Sequence, residues 1–133
     1  MRTVLFTCVH NAARSQMAAA FFNQLADPDK AQAISAGSQP DDSIDPAVVT
    51  VMREVGIDLS QERPQQLTAK LQAQADFLVT LGCGEVCPQI PPFRRSDWGL
   101  DDPRGQQLDR VRQIRDEIRG RVVELLAARE WGR

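Results

Sequence analysis

Arg2-Thr-Val-Leu-Phe-Thr-Cys8-Val9-His10-Asn11-Ala12-Ala13-Arg14-Ser15-Gln-Met17 decides the fold of this chain. Residues 2–7 are a short apolar, β-branched run of the kind that forms a buried strand. From Arg14 the composition turns helical, through Ser15-Gln-Met-Ala-Ala-Ala-Phe-Phe22. Residues 8–13 link the two. A tight turn at that place aims successive backbone N–H groups inward, and the positive end of the helix dipole adds to their pull on an anion. Residues Val9, His10, Asn11, Ala12, Ala13 and Ser15 are therefore expected to cradle a tetrahedral oxyanion. Arg14 closes the cradle with a planar, two-pronged guanidinium, which matches oxyanion geometry better than a lysine point charge.

Inward N–H groups, a guanidinium and a helix N-terminus all favour a thiolate over a thiol, so the same link is expected to activate Cys8 as a nucleophile. Ser15 is placed to donate its hydroxyl to that sulfur, and Asn11 to take a left-handed conformation and tie the loop with its amide. His10, the single histidine, is read as a solvent-facing loop residue and not as a base, because a sulfur already ionised needs none. The plainer reading, a core cysteine and a solvated arginine, requires the spacing, the strand-loop-helix context and the adjacent serine all to coincide.

Outward from this stretch, Ala33-Ile-Ser-Ala36 reads as a second strand ending at Gly37, followed by a loop rich in Ser, Pro and Asp. Asp45 as N-cap and Pro46 at the first helical position start a helix that carries Val48 to Val55 and stops at Gly56. Residues 67–74 form a short helix and Asp76–Leu81 a third strand, apolar enough to be covered on both faces. After a loop over 82–94, Ser96–Leu100 holds a brief fourth strand. A long helix then runs from about 107 to 129, with Leu108, Val111, Ile114, Ile118, Val122 and Leu125 as its apolar stripe. Alternating strands and helices over 133 residues predict one α/β domain, 1–133, with a mostly parallel sheet and its ligand at the carboxyl ends of the strands.

Sixteen basic residues against eighteen acidic give a net charge of -2, which leaves no broad basic surface for nucleic acid. The apolar run at Val4–Phe6 is too short for a signal peptide or a membrane span, so a cytoplasmic monomer with no membrane partner is expected. Three cysteines in a reducing compartment point to catalysis, redox chemistry or metal binding and not to a disulfide framework. Trp98 and Trp131 read as packing residues, and Arg94 and Arg95 as a solvated loop pair.

With these residues in hand, the chain resembles the arsenate reductases built on the low-molecular-weight protein tyrosine phosphatase fold. The carrying motifs are Cys8–Met17, Ser35-Ala-Gly37, Val79-Thr-Leu-Gly-Cys83-Gly-Glu-Val-Cys87-Pro88 and Asp97-Trp-Gly-Leu-Asp-Asp102-Pro103. The resemblance implies a four-stranded parallel sheet flanked by helices on both faces. It also implies Cys8 as nucleophile, Arg14 as oxyanion clamp and Asp102 as general acid. Without it, Asp101-Asp102-Pro103 reads as a turn and N-cap region. Some relatives bind potassium through an acidic residue of the first helix, where this chain has Ala18-Ala-Ala20.

Cys83 and Cys87 separate a reductase from a phosphatase, which has no use for two further thiols. In a helical turn, residues four apart have α-carbons roughly 6 Å apart, within reach of a disulfide. The expected mechanism is a relay: Cys8 attacks arsenate, Cys83 attacks Cys8 and releases arsenite, and Cys87 attacks Cys83 to leave a disulfide that thioredoxin reduces. No bound cofactor is expected, thioredoxin being the reductant. The alternatives are a tyrosine phosphatase, a reductase served by mycothiol or glutathione, inert thiols, a zinc site of the three cysteines with His10, and a redox-sensing module without turnover. Against the phosphatase, Arg104 and Gly105 follow the Asp-Pro pair, where the resemblance implies that phosphatases carry aromatic residues.

Overall fold

The structure, a computed structural model, describes residues 1–82 and 95–133. Strands β1 (Arg2–Cys8), β2 (Ala31–Gly37), β3 (Phe77–Thr80) and β4 (Arg95–Asp97) form one sheet in the order β2-β1-β3-β4, with every neighbouring pair parallel. Helices α1 (Arg14–Leu25), α2 (Pro46–Glu54), α3 (Ala69–Gln74) and α4 (Leu108–Arg129) complete the α/β architecture. No helix among the described residues is long and apolar enough to cross a membrane.

The pleat of β1 sorts its side chains. Val4, Phe6 and Cys8 enter the larger core with residues of α1, α2 and α4, whereas Leu5 joins Ala36 and Leu78 under Leu67, Leu71 and Ala75 of the α3 region. Both faces of the sheet are thus covered, as the near-continuous apolar strands require. Phe6 meets Phe22 edge-on at 5.9 Å and Trp98 at 5.7 Å, while Trp131 packs on Phe22 and Phe77, so both tryptophans are packing residues. Each fully buried Phe, Leu or Ile of this core contributes roughly 1.5–3 kcal/mol.

Strand β2 begins two residues earlier than its β-branched content suggests, because pairing with β1 extends to Ala31 opposite Arg2. At the other edge β4 ends at Asp97; Trp98 and Leu100 are buried but lie beyond the strand. In α4 the buried stripe is Val111, Ile114, Ile118, Val122 and Leu126. Leu108 is exposed at the first turn, outside the core, and Leu125 is only half-buried beside the stripe. Buried Arg115 adds a polar tie that the periodicity conceals. Its Nη1 donates to the Val51 carbonyl at 2.9 Å and to Glu54 Oε1 at 3.0 Å, satisfying the C-terminal end of α2 from α4. The start of α2 follows its sequence signals, with Asp45 accepting from the Ala47 N–H at 3.0 Å and Pro46 at the first position.

Candidate active site

Strand order reverses between β1 and β3, and the link from β1 to α1 leaves the sheet at that switch point. Three carbonyls of the link are held from one side. Val9 O accepts from the Gln39 N–H at 2.8 Å, His10 O from Asp41 at 3.0 Å and Ala12 O from Asp45 at 3.0 Å. In a trans peptide the next N–H points opposite to the carbonyl. The amides of His10, Asn11 and Ala13 are therefore turned away from residues 39–45 and toward the cradle. Gly37 makes this contact possible, because a β-carbon there would lie 2.6 Å from Val9 O and 2.9 Å from Asn11 N. Helix α1 has Ala13 as its N-cap, which offers no side-chain cap, so its first-turn N–H groups are not consumed by a capping side chain.

A hydrogen-bond chain fixes the sulfur. Asn11 takes the left-handed conformation expected of it, φ 51°. The backbone N–H of Gln65 donates to Asn11 Oδ1 at 2.9 Å, which sets the orientation of that amide. Asn11 Nδ2 must then donate to Ser15 Oγ at 2.7 Å, leaving the serine proton for Cys8 Sγ 2.9 Å away. Gln16 Nε2 braces the amide from the other side, bonding Asn11 Oδ1 at 3.1 Å and the Arg63 carbonyl at 3.2 Å. Asn11 and Ser15 are fully buried and Cys8 is nearly so.

Arg14 reaches across to the opposite wall. Its Nη1 donates to the Leu100 carbonyl at 2.9 Å, and its Nη2 lies 3.8 Å from Asp102 Oδ2. Gly82 lies against this guanidinium at φ 81°: a β-carbon there would lie 2.2 Å from Nη1. The glycine at this position gives Arg14 its place. Asp102 accepts from the Arg104 N–H at 3.0 Å in a tight turn, and Asp101 accepts from Arg110 Nη2, which docks the turn on α4.

Cys8, His10, Ala12, Ala13, Arg14, Asp102 and Arg104 line one depression. Of the residues expected to form a site, Cys8, His10, Ala12, Ala13, Arg14 and Asp102 meet at this depression, with the half-exposed Asp102 on the rim and Cys8 on the floor, whereas Val9, Asn11 and Ser15 do not line it. His10 is half-buried, not solvent-facing: a carbonyl only accepts, so His10 Nδ1 carries a proton and donates to Gln39 O at 3.0 Å. Cys83 and Cys87 lie outside the described residues, as does Arg94; Arg95 pairs with Asp97 at 2.9 Å. Among the described residues no group of three or more His, Cys, Asp or Glu converges on a metal position. Sequence reasoning gave no site role to Gln65, Leu100 or the segment 39–45; the signal it held was Gly37 and Gly82, both inside stretches quoted for the resemblance.

Residues 3–130 match the low molecular weight phosphotyrosine protein phosphatase family, and the chain belongs to that family. A protein of Halobacterium salinarum described as a putative arsenate reductase is 38% identical over 124 residues, 90% of this chain and 87% of its own length. Arsenate reductase 1 of Bacillus cereus is 37% identical over 125 residues, covering 91% of each chain. Among solved structures, the thioredoxin-dependent arsenate reductase of Corynebacterium glutamicum superposes with a TM-score of 0.82 at 38% identity. That alignment takes in 96% of this chain and 61% of the longer relative.

Proposed function

We propose that this chain, acting as one domain in a reducing cytosol, converts arsenate to arsenite with Cys8 as nucleophile. The observation that carries this reading is the sulfur of Cys8 on the floor of an amide-lined loop, 2.9 Å from the Ser15 hydroxyl, with Arg14 and Asp102 across the depression. Relatives named arsenate reductase support the choice of oxyanion.

In the first step the Cys8 thiolate bonds to arsenic while Asp102 gives a proton to the departing oxygen, which leaves as water. Arg14 and the loop amides hold the remaining oxygens. Cys83 then attacks Cys8 Sγ: the sulfur–arsenic electron pair passes to arsenic, As(V) becomes As(III), and a Cys8–Cys83 disulfide remains. Cys87 attacks Cys83, frees Cys8 as a thiolate and leaves a Cys83–Cys87 disulfide. A thioredoxin-type dithiol takes up that oxidising equivalent by exchange. The thioredoxin-dependent relative supports this donor over mycothiol or glutathione. Phosphate shares the shape and charge of arsenate, so slow hydrolysis of activated phosphate esters accompanies the main reaction.

Arsenite release with thioredoxin and its reductase, with glutaredoxin plus glutathione, and with mycothiol, each supplied alone, tests the proposal. Sustained release is expected with thioredoxin. No arsenite with any donor contradicts the reading.

A further inference from the structure

The rim of the depression carries a cation that the mechanism does not use. Arg104 follows the Asp102-Pro103 turn, and its guanidinium reaches across the mouth to the opposite loop, where Nη1 bonds Asp41 Oδ2 at 2.7 Å. On its own side Nε lies 3.5 Å from Asp102 Oδ2. The same side chain lines the depression over Cys8 and the adjoining cleft formed by Asp41–Pro46. His10, 3.5 Å from Asp41 Oδ1, faces the far end of the bridge.

We infer that Arg104 is a specificity-determining residue: a bar across the mouth that gives a compact, unesterified oxyanion its second guanidinium and obstructs the substituent of an ester. The inference rests on the reading of the depression as an oxyanion site. Arg14 meets the anion with part of its fork engaged by Leu100 O, so a doubly charged ion gains from another cation on the open side. Arg104 and Asp41 are each more than a third exposed, so their 2.7 Å pair contributes little, and the 3.5 Å approach to Asp102 is too long for a good hydrogen bond; the guanidinium can therefore turn to an arriving oxygen at little cost. A free oxyanion presents such an oxygen. An ester presents carbon there and must displace the bar from Asp41.

Equilibrium titration of the reduced, full-length protein with inorganic phosphate and with phenylphosphonate, which cannot be hydrolysed, tests this without requiring turnover. Arg104→Ala is expected to weaken phosphate about fivefold, the size of one partly exposed charge-assisted contact, and to tighten phenylphosphonate about threefold. Asp41→Asn removes a carboxylate that competes for the same guanidinium, and is expected to tighten phosphate about twofold. A purely structural bridge predicts that both variants weaken both ligands, and that result, or unchanged affinities, would overturn the inference. Unchanged phosphate affinity in Arg104→Ala would overturn the role of Arg104 and leave the reading of the chain as an arsenate reductase standing. A wild-type protein that binds phosphate yet forms no arsenite sinks the reductase and leaves the selectivity of the bar standing.

Discussion

The loop from Cys8 to Ser15 and the segment from Leu100 to Arg104 face each other across one depression, but contacts of different kinds hold them. The first is held chiefly by buried or backbone contacts, three carbonyls fixed by residues 39–45 and an Asn11 amide oriented by the Gln65 N–H, and only the longer His10–Asp41 and Arg14–Asp102 approaches reach the surface. The second is held chiefly by side-chain pairs at the surface, Asp101 with Arg110, Arg104 with Asp41 and Arg104 with Asp102, each partner more than a third exposed. Buried, fully satisfied hydrogen bonds pre-organise a site, whereas exposed ion pairs contribute little stability and weaken with salt. The Cys8–Ser15 wall is therefore rigid and the Leu100–Arg104 wall adjustable. That division suits the proposed reaction, in which the oxyanion stays put while a proton is delivered to its departing oxygen.

Substitutions can break this division or sharpen it. Cys8→Ser has the largest expected effect, a loss of arsenite formation of more than about a thousandfold, because a serine hydroxyl at neutral pH is not ionised and its oxygen cannot carry the relay. Gly82→Ala comes next. Its β-carbon would sit 2.2 Å from Arg14 Nη1 at φ 81°, so the guanidinium must shift; a misplacement of about 1 Å costs about a hundredfold in kcat/KM. Gly105→Ala shares a positive φ, 75°, but has nothing within 4 Å; it should lose stability and leave kcat/KM within about twofold. Equal losses in the two glycine variants would erase the distinction between a rigid wall and an adjustable one. Asp102→Asn should lower single-turnover arsenate consumption about tenfold to a hundredfold while phosphate affinity changes less than about threefold. An unchanged rate would remove Asp102 from the acid role.

The smallest effect falls on the scaffold behind both walls. Glu54 has its carboxyl pKa held below its ordinary value of 4.5, first by hydrogen bonding from Arg112, with Arg115 adding to it. A lowered folded-state value means that the stabilisation is present above about pH 4.5 and disappears as pH falls through the folded-state value. Glu54→Gln should therefore lower Tm at pH 7, converge with the wild type in strong acid, and leave activity unchanged. A difference in Tm that persists undiminished at pH 2 would contradict it.

What the chain's sequence discloses follows the same line. The cradle is legible because Cys8, Arg14 and Ser15 fall within eight consecutive residues that join a recognisable strand to a helix, so local spacing carries the geometry. The partners that make it rigid are not legible by spacing: Gly37 and Gln65 meet Asn11 only after β2 and the segment beyond it pack on β1. Asp102 needed the resemblance, since its own neighbourhood codes for a turn, and a turn is indeed what its Oδ1 forms with the Arg104 N–H. In α4 the apolar pattern located the helix but mistook Leu125 for Leu126, because two adjacent leucines leave the face ambiguous until Val122 and the core fix it. Arg115 was hidden for the opposite reason: a charged residue gives no apolar signal, and its acceptors lie on α2.

The central claim is that Cys8 Sγ is a nucleophile facing an anion cradle. Alkylation of Cys8 by iodoacetamide, followed by peptide mass mapping with and without inorganic phosphate, measures both halves at once. Rapid modification of Cys8 that phosphate suppresses, and that Ser15→Ala alters while the cradle remains folded, is the predicted result. Modification of Cys8 at the same rate with saturating phosphate as without it would contradict the account.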